Sequence, residues 1–193
     1  MKNLKIVFGS LLMLCITTQI SVAQTYQLNN SSSTLEIEGT SNIHDWELTA
    51  EDQQGKLIAE LDGGQLVEIS KLDFIVKAES LESGKSGMNK NTYKALNTDK
   101  YSQIVYRLTK VINIDCITQG KCKVITTGDL TIAGTTKPIK ITFDAQVTEG
   151  QILLTGSKPL NMTDYGIEPP KALFGTITTG EKVNIKFQSY FKI

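Results

Sequence analysis

The closing stretch of the chain sets Val183, Ile185, Phe187, Ser189 and Phe191 against Lys182, Asn184, Lys186, Gln188, Tyr190 and Lys192. Successive side chains of a strand point to opposite faces, so this alternation puts one face in a core and the other in water. The same period runs through Leu35 and Ile37, through Leu72, Phe74, Val76 and Ala78, through Ile104, Tyr106 and Leu108, and through Ile139, Ile141, Phe143, Ala145 and Val147. Turn residues fall between these runs at Asp62-Gly63-Gly64, Gln119-Gly120, Gly134-Thr135-Thr136 and Glu149-Gly150. About eight long strands joined by short turns predict an all-β chain, either a sandwich or a closed meander barrel.

One segment breaks the period. In SGMNKNTYKALNTDKY, Met88, Thr92, Tyr93, Ala95 and Leu96 share a helical face after a Ser86-Gly87 entry, which predicts a short helix over residues 88 to 97 with Asn97 near its end. A lone helix with an apolar stripe needs a partner, and the end of a barrel supplies one. A second break, residues 160 to 175, is stiffened by Pro169-Pro170 and bracketed by Gly166 and Gly175, as expected of an ordered loop that covers an opening.

The first residues carry Lys2 and Lys5, an apolar run from Ile6 to Ile16 and a small-residue site at Ser21-Val22-Ala23, the three parts of a secretory signal. Cleavage is expected near Ala23, leaving residues 24 to 193 as one domain in the periplasm or outside the cell. Leu14 is not the small residue that lipidation of Cys15 would want. Removing the two signal lysines leaves 18 basic against 20 acidic residues, a formal charge of −2. That balance gives no electrostatic case for nucleic acid or for an anionic membrane surface, and no stable membrane insertion is expected.

Export also changes how the thiols are read. Cys116 and Cys122 flank ITQGK, a turn between two strand-like runs, and on antiparallel strands they would face each other within bridging distance. A disulfide is expected, and a metal site is not, since two thiols without a nearby histidine make a poor zinc set.

Three stretches resemble the YceI-like family. MNKNTYKALNTDKYSQIVYRLTKV looks like that family's helix followed by an aromatic-led strand at Tyr101; GDLTIAGTTKPIKITF, residues 128 to 143, is similar to its strand, Gly-Thr-Thr-Lys turn and β-branched strand; a Tyr165-Gly166 turn precedes a closing strand from Glu181. The resemblance implies an exported, extended eight-stranded antiparallel lipocalin-like barrel with one short helix near its end, and binding of a polyisoprenoid-type lipid. Physically, Gly134 can take a positive φ and Pro138 limits pairing early in the next strand, so the second motif reads as a folding signature. The strand histidine common in that family has no counterpart here; Ile37 or a neighbour occupies its region.

The only histidine and the only tryptophan lie together in GTSNIHDWE, residues 39 to 47. His44 and Asp45 are adjacent on an extended chain and so point apart, which argues against a relay. The expected role is a structural corner with Trp46 packed into the barrel end, and no catalytic residue is assigned. The lining of a ligand cavity, if the barrel is hollow, is expected from Phe74, Val76, Tyr106, Leu108, Ile141, Phe143, Ile185 and Phe187. The same residue types would also fill a solid core. Arg107, the one arginine, has the outward parity, which favours a ligand with a neutral head such as a quinone over a diphosphate. The expected function is non-enzymatic binding of a long apolar isoprenoid, quinone or other amphiphile, with no cofactor. The alternative is a solid-cored structural or protein-interaction domain of the envelope.

Overall fold

The computed structural model describes residues 23 to 193, so residues 1 to 22 of the expected signal segment, residues 1 to 23, lie outside the described residues. In chain order the strands are β1 (Gln24–Leu28), β2 (Thr34–Ser41), β3 (Asp45–Ala50), β4 (Gln53–Asp62), β5 (Gln65–Lys77) and β6 (Leu81–Glu82). After a helix, α1 (Ser86–Leu96), come β7 (Gln103–Thr118), β8 (Lys121–Ile132), β9 (Thr135–Thr148), β10 (Gln151–Asn161), β11 (Lys171–Ala172) and β12 (Ile177–Lys192). Every pairing is antiparallel. Eight strands form a ring in the order β1, β4, β5, β7, β8, β9, β10, β12. The ring closes where Gln27 and Leu28 meet Lys192 and Phe191. Beyond that closure the chain bends away from β4, and β2, β3 and β6 extend the wall from β12. The expected eight-stranded antiparallel barrel is therefore the fold.

The predicted parities hold along most strands. Phe74 pairs with Tyr106, Val76 with Ile104, Ile37 with Ile185 and Leu35 with Phe187, so the alternating apolar residues share one interior. The Gly134 turn behaves as its sequence demands. Ala133 and Gly134 have φ of 47° and 78°, and a Cβ on Gly134 would stand 2.4 Å from the Tyr101 ring, which packs against the turn. The helix starts two residues earlier than the periodicity indicates, and Asn97 closes it in the left-handed region at φ 53°.

The two ends of the ring differ. At one end the turns at Gly63–Gly64, Gln119–Gly120 and Glu149–Gly150 gather over a solid core. Tyr26, Leu57, Val124, Ile152 and Phe191 there are at most 1% exposed. Cys116 and Cys122 pair in register near this end and are bonded, as expected. At the other end lie the β2–β3 turn, α1 and the segment from Met162 to Gly175.

The ladder between β9 and β10 is incomplete. It runs from Thr148 and Gln151 up to Phe143 and Gly156, and then stops, although both strands continue toward the open end. Each of the parted segments carries a proline, Pro138 on β9 and Pro159 on β10, and each proline keeps its register with the strand on its other side. A proline cannot donate to a ladder and is accommodated where its nitrogen side is unpaired, so both prolines suit an open seam.

Candidate functional site: an apolar cavity in the open half of the barrel

The open half encloses a cavity of about 740 Å³, within the range of clefts that bury small ligands. Its floor is formed by Phe143, Leu154, Ser189 and Phe191, and its mouth by α1, the β2–β3 turn and the segment after β10. From Val183 near the mouth to Phe191 at the floor, β12 advances by a distance that, with the tilt of barrel strands, makes the cavity roughly 20 Å deep.

Why a barrel with so many aromatic side chains stays hollow is visible in its glycines. Gly39 pairs with Trp46, and a Cβ on it would stand 2.1 Å from the indole; on Gly128 it would stand 2.5 Å from the Tyr106 ring, and on Gly156 2.7 Å from Phe187. Each ring therefore lies flat over a bare stretch of backbone on the next strand. The aromatic mass thickens the wall and does not cross the lumen.

Of the expected lining residues, Phe74, Val76, Tyr106, Ile141, Phe143, Ile185 and Phe187 line this cavity. Leu108 does not. It is half-buried and packs on the core, but its partner is Gly128, over which the Tyr106 ring lies, so tyrosine occupies the wall in front of that pair. Just beyond, the β7–β8 register slips between Leu108 and Lys110, which ends the strand's simple parity. The lining also takes in Leu35, Ile37 and Leu48 from β2 and β3, and Met88, Thr92 and Leu96 from α1. Alternation and the helical stripe were the signals for these.

The tryptophan does not plug the barrel. Its ring is half-buried, donates from Nε1 to the carbonyl of Thr40 at 2.9 Å and forms part of the rim, because Gly39 lets it lie along the wall. His44 is exposed at the same rim, and its Nδ1 donates to the backbone carbonyl of Asp45 at 2.8 Å, with no bond to that residue's carboxylate. The segment after β10 covers the opening as its prolines and glycines suggested. Tyr165 and Ile167 are buried under it and line the cavity, and the Pro170 carbonyl accepts from Thr179 at 3.2 Å.

Charge is sorted between the faces. Arg107 is exposed on the outer face, in register with Asp73 and Asp129. Glu38 is ion-paired with Lys186 outside, and that hydrogen bond holds its carboxyl below the usual range. Inside, the polar groups are few. The Tyr106 hydroxyl is 3.2 Å from Thr126 Oγ1, which in turn donates to the Ile141 carbonyl at 3.3 Å, and burial pushes the Tyr106 phenol up from its ordinary pKa. Burial does the same to Tyr165. Among the described residues no Asp, Glu or Arg lines the cavity; the charged ones that do are Lys158 in the wall and Lys85, Lys90 and Lys171 at the mouth. Lys158 was not anticipated, although it shares the parity of Ile152, Leu154 and Leu160, and an in-phase lysine was the signal available.

Comparison with known proteins follows the same lines. A family model described as the YceI-like domain matches residues 26–191. A UPF0312 protein from Vibrio parahaemolyticus is 35% identical over 74 residues, which is 37% of this chain and 36% of that protein. Among solved structures, a polyisoprenoid binding domain from Saccharophagus degradans aligns with a TM-score of 0.68 at 14% identity, over 86% of this chain and 97% of that one. BcnA of Burkholderia cenocepacia gives 0.67 at 14% identity, over 84% and 98%. A YceI protein from Campylobacter jejuni gives 0.56 at 16% identity, over 100% and 99%. At these identities the structural likeness speaks to the fold.

Proposed function

The chain belongs to the YceI-like domain family, and from that premise we propose that it is a carrier that shelters one long apolar chain from water, in the periplasm or outside the cell, without chemistry on it. The cavity is the observation that carries this reading. A bilayer's hydrocarbon core is about 30 Å thick, so a depth of roughly 20 Å accommodates a chain of the length found in one leaflet. Each methylene moved from water into such a wall contributes about 0.8 kcal/mol, enough for useful affinity with few polar contacts. The binding named for the Saccharophagus domain supports the choice of an isoprenoid or similar amphiphile as ligand class. Export is supported by the signal-like first residues and by the Cys116–Cys122 disulfide, a bond that persists in oxidising compartments.

Mass spectrometry of organic extracts from natively purified protein tests the reading. A stoichiometric long-chain lipid is expected; protein that carries none, and takes up none from vesicles of its own host's lipids, would end the carrier reading.

A further inference from the structure

The inner face of β10 runs Ile152, Leu154, Gly156, Lys158, Leu160, and the lysine is out of place in that series. Register puts Lys158 in one layer with Ile185, Ile37 and Leu48, and puts Leu160, Val183, Gly39 and Trp46 in the layer nearer the mouth. Lys158 thus stands one layer, roughly 7 Å along the strand, below the rim. It is half-buried, it borders the stretch where β9 and β10 part, and it makes no hydrogen bond or ion pair among the described residues. Its stem lies in an apolar wall, and no carboxylate among the described residues pairs with its ammonium.

A second donor is equally idle. Tyr165, on the turn that follows β10, is 3% exposed and lines the same cavity, and its hydroxyl is buried with no hydrogen-bond partner. Buried hydroxyls are normally paired, so this one calls for a partner that is a water or a group of the ligand. Among the described residues no carboxylate lines the cavity to satisfy either group, and the cations at its mouth are of the same sign as Lys158.

We propose that the ligand carries a compact anionic head, a carboxylate or a phosphate monoester, received by Lys158 with Tyr165 donating to it, while the tail runs down to the Phe143 and Phe191 floor. This rests on the carrier reading and replaces the neutral head that the outward Arg107 favoured. An inward lysine beside an unpaired strand edge also hinders edge-to-edge pairing, and the experiment separates the two roles.

Full-length mature protein is titrated at pH 8 with dodecanoate, dodecyl phosphate and 1-dodecanol. Both anions are expected to bind at least about tenfold tighter than the alcohol, with the tighter of the two naming the head group. Lys158→Met should erase that preference by weakening the anions about tenfold more than dodecanol, and Tyr165→Phe should weaken the anions about threefold. Equal binding of alcohol and anions by the unmodified protein overturns the proposal, and this comparison stands even if a variant fails to fold. A Lys158→Met protein that keeps the anion preference also overturns it, and if that protein self-associates the lysine is an edge guard. Should none of the three probes bind, the carrier reading itself falls and takes this inference with it.

Discussion

The closed and open halves of the barrel are built from the same kinds of side chain and reach opposite states. In the closed half, Tyr26, Leu57, Val124 and Ile152 belong to one buried cluster and are at most 1% exposed. In the open half, Trp46, Tyr106 and Phe187 are as large, yet they fold back onto Gly39, Gly128 and Gly156. Apolar content does not decide whether a small barrel is filled. The decision lies in whether the neighbouring strand offers a large ring a place to lie down.

That difference predicts unequal costs for equal truncations. Leu57→Ala leaves a void among fully buried neighbours and should cost about 3 kcal/mol or more, whereas Phe74→Ala and Phe187→Ala widen a space that already exists and should cost about 1 kcal/mol each. Chemical denaturation of the three variants checks this, and equal losses would mean that the open half is as tightly packed as the closed one. The same two phenylalanine variants should retain a different set of lipids from the unmodified protein.

A smaller effect is expected from the disulfide, which joins residues six apart near the closed end. By loop-closure entropy its reduction should cost about 2 kcal/mol. Because the cavity lies in the other half, ligand affinity should not change at all. Lipid loss on reduction would show that the two halves are coupled.

The smallest effect concerns alkaline pH and the mouth. The Tyr93 hydroxyl donates to the Leu81 carbonyl at 3.1 Å and to Glu82 at 3.0 Å. Desolvation first, and then the Glu82 carboxylate, push its pKa up to about 12. The unfolded phenol ionises near pH 10, so between about 10 and 12 the unfolded chain releases a proton that the folded one keeps. This contribution to stability is complete below pH 10 and is lost as pH rises toward 12. Tyr93→Phe should flatten the fall in melting temperature over that window without removing it, because Tyr26, Tyr106 and Tyr165 are shifted in the same direction by burial.

What the sequence made legible was whatever depends on one strand at a time. Parity placed Phe74, Val76, Ile141, Phe143, Ile185 and Phe187 on the inner face, and the helical stripe placed Met88, Thr92 and Leu96 against the mouth. Apart from the cysteine pair that flanks a single turn, what depends on two strands was not legible. Leu108 has the right parity and still misses the cavity, since its neighbour across the ladder is a glycine already covered by Tyr106. The seam between β9 and β10 becomes visible only when Pro138 and Pro159 are known to stand on neighbouring strands. Lys158 was in plain view at an inward position, but a lysine inside a barrel acquires meaning only once it is known that no carboxylate among the described residues lines the cavity.

The glycines under the aromatic rings also invert the usual logic of a mutational scan. Alanine is the customary way to take a side chain away, and yet at Gly39, Gly128 and Gly156 it is the bulky replacement, a single methyl set 2.1 to 2.7 Å from a ring atom. Such a methyl would lever an aromatic plate off the wall and into the lumen, so the smallest possible addition would act on the cavity like one of the largest. The capacity of this barrel is thus written in the residues that have no side chain, and a survey that skips them as silent would find its lining and miss what sets its size.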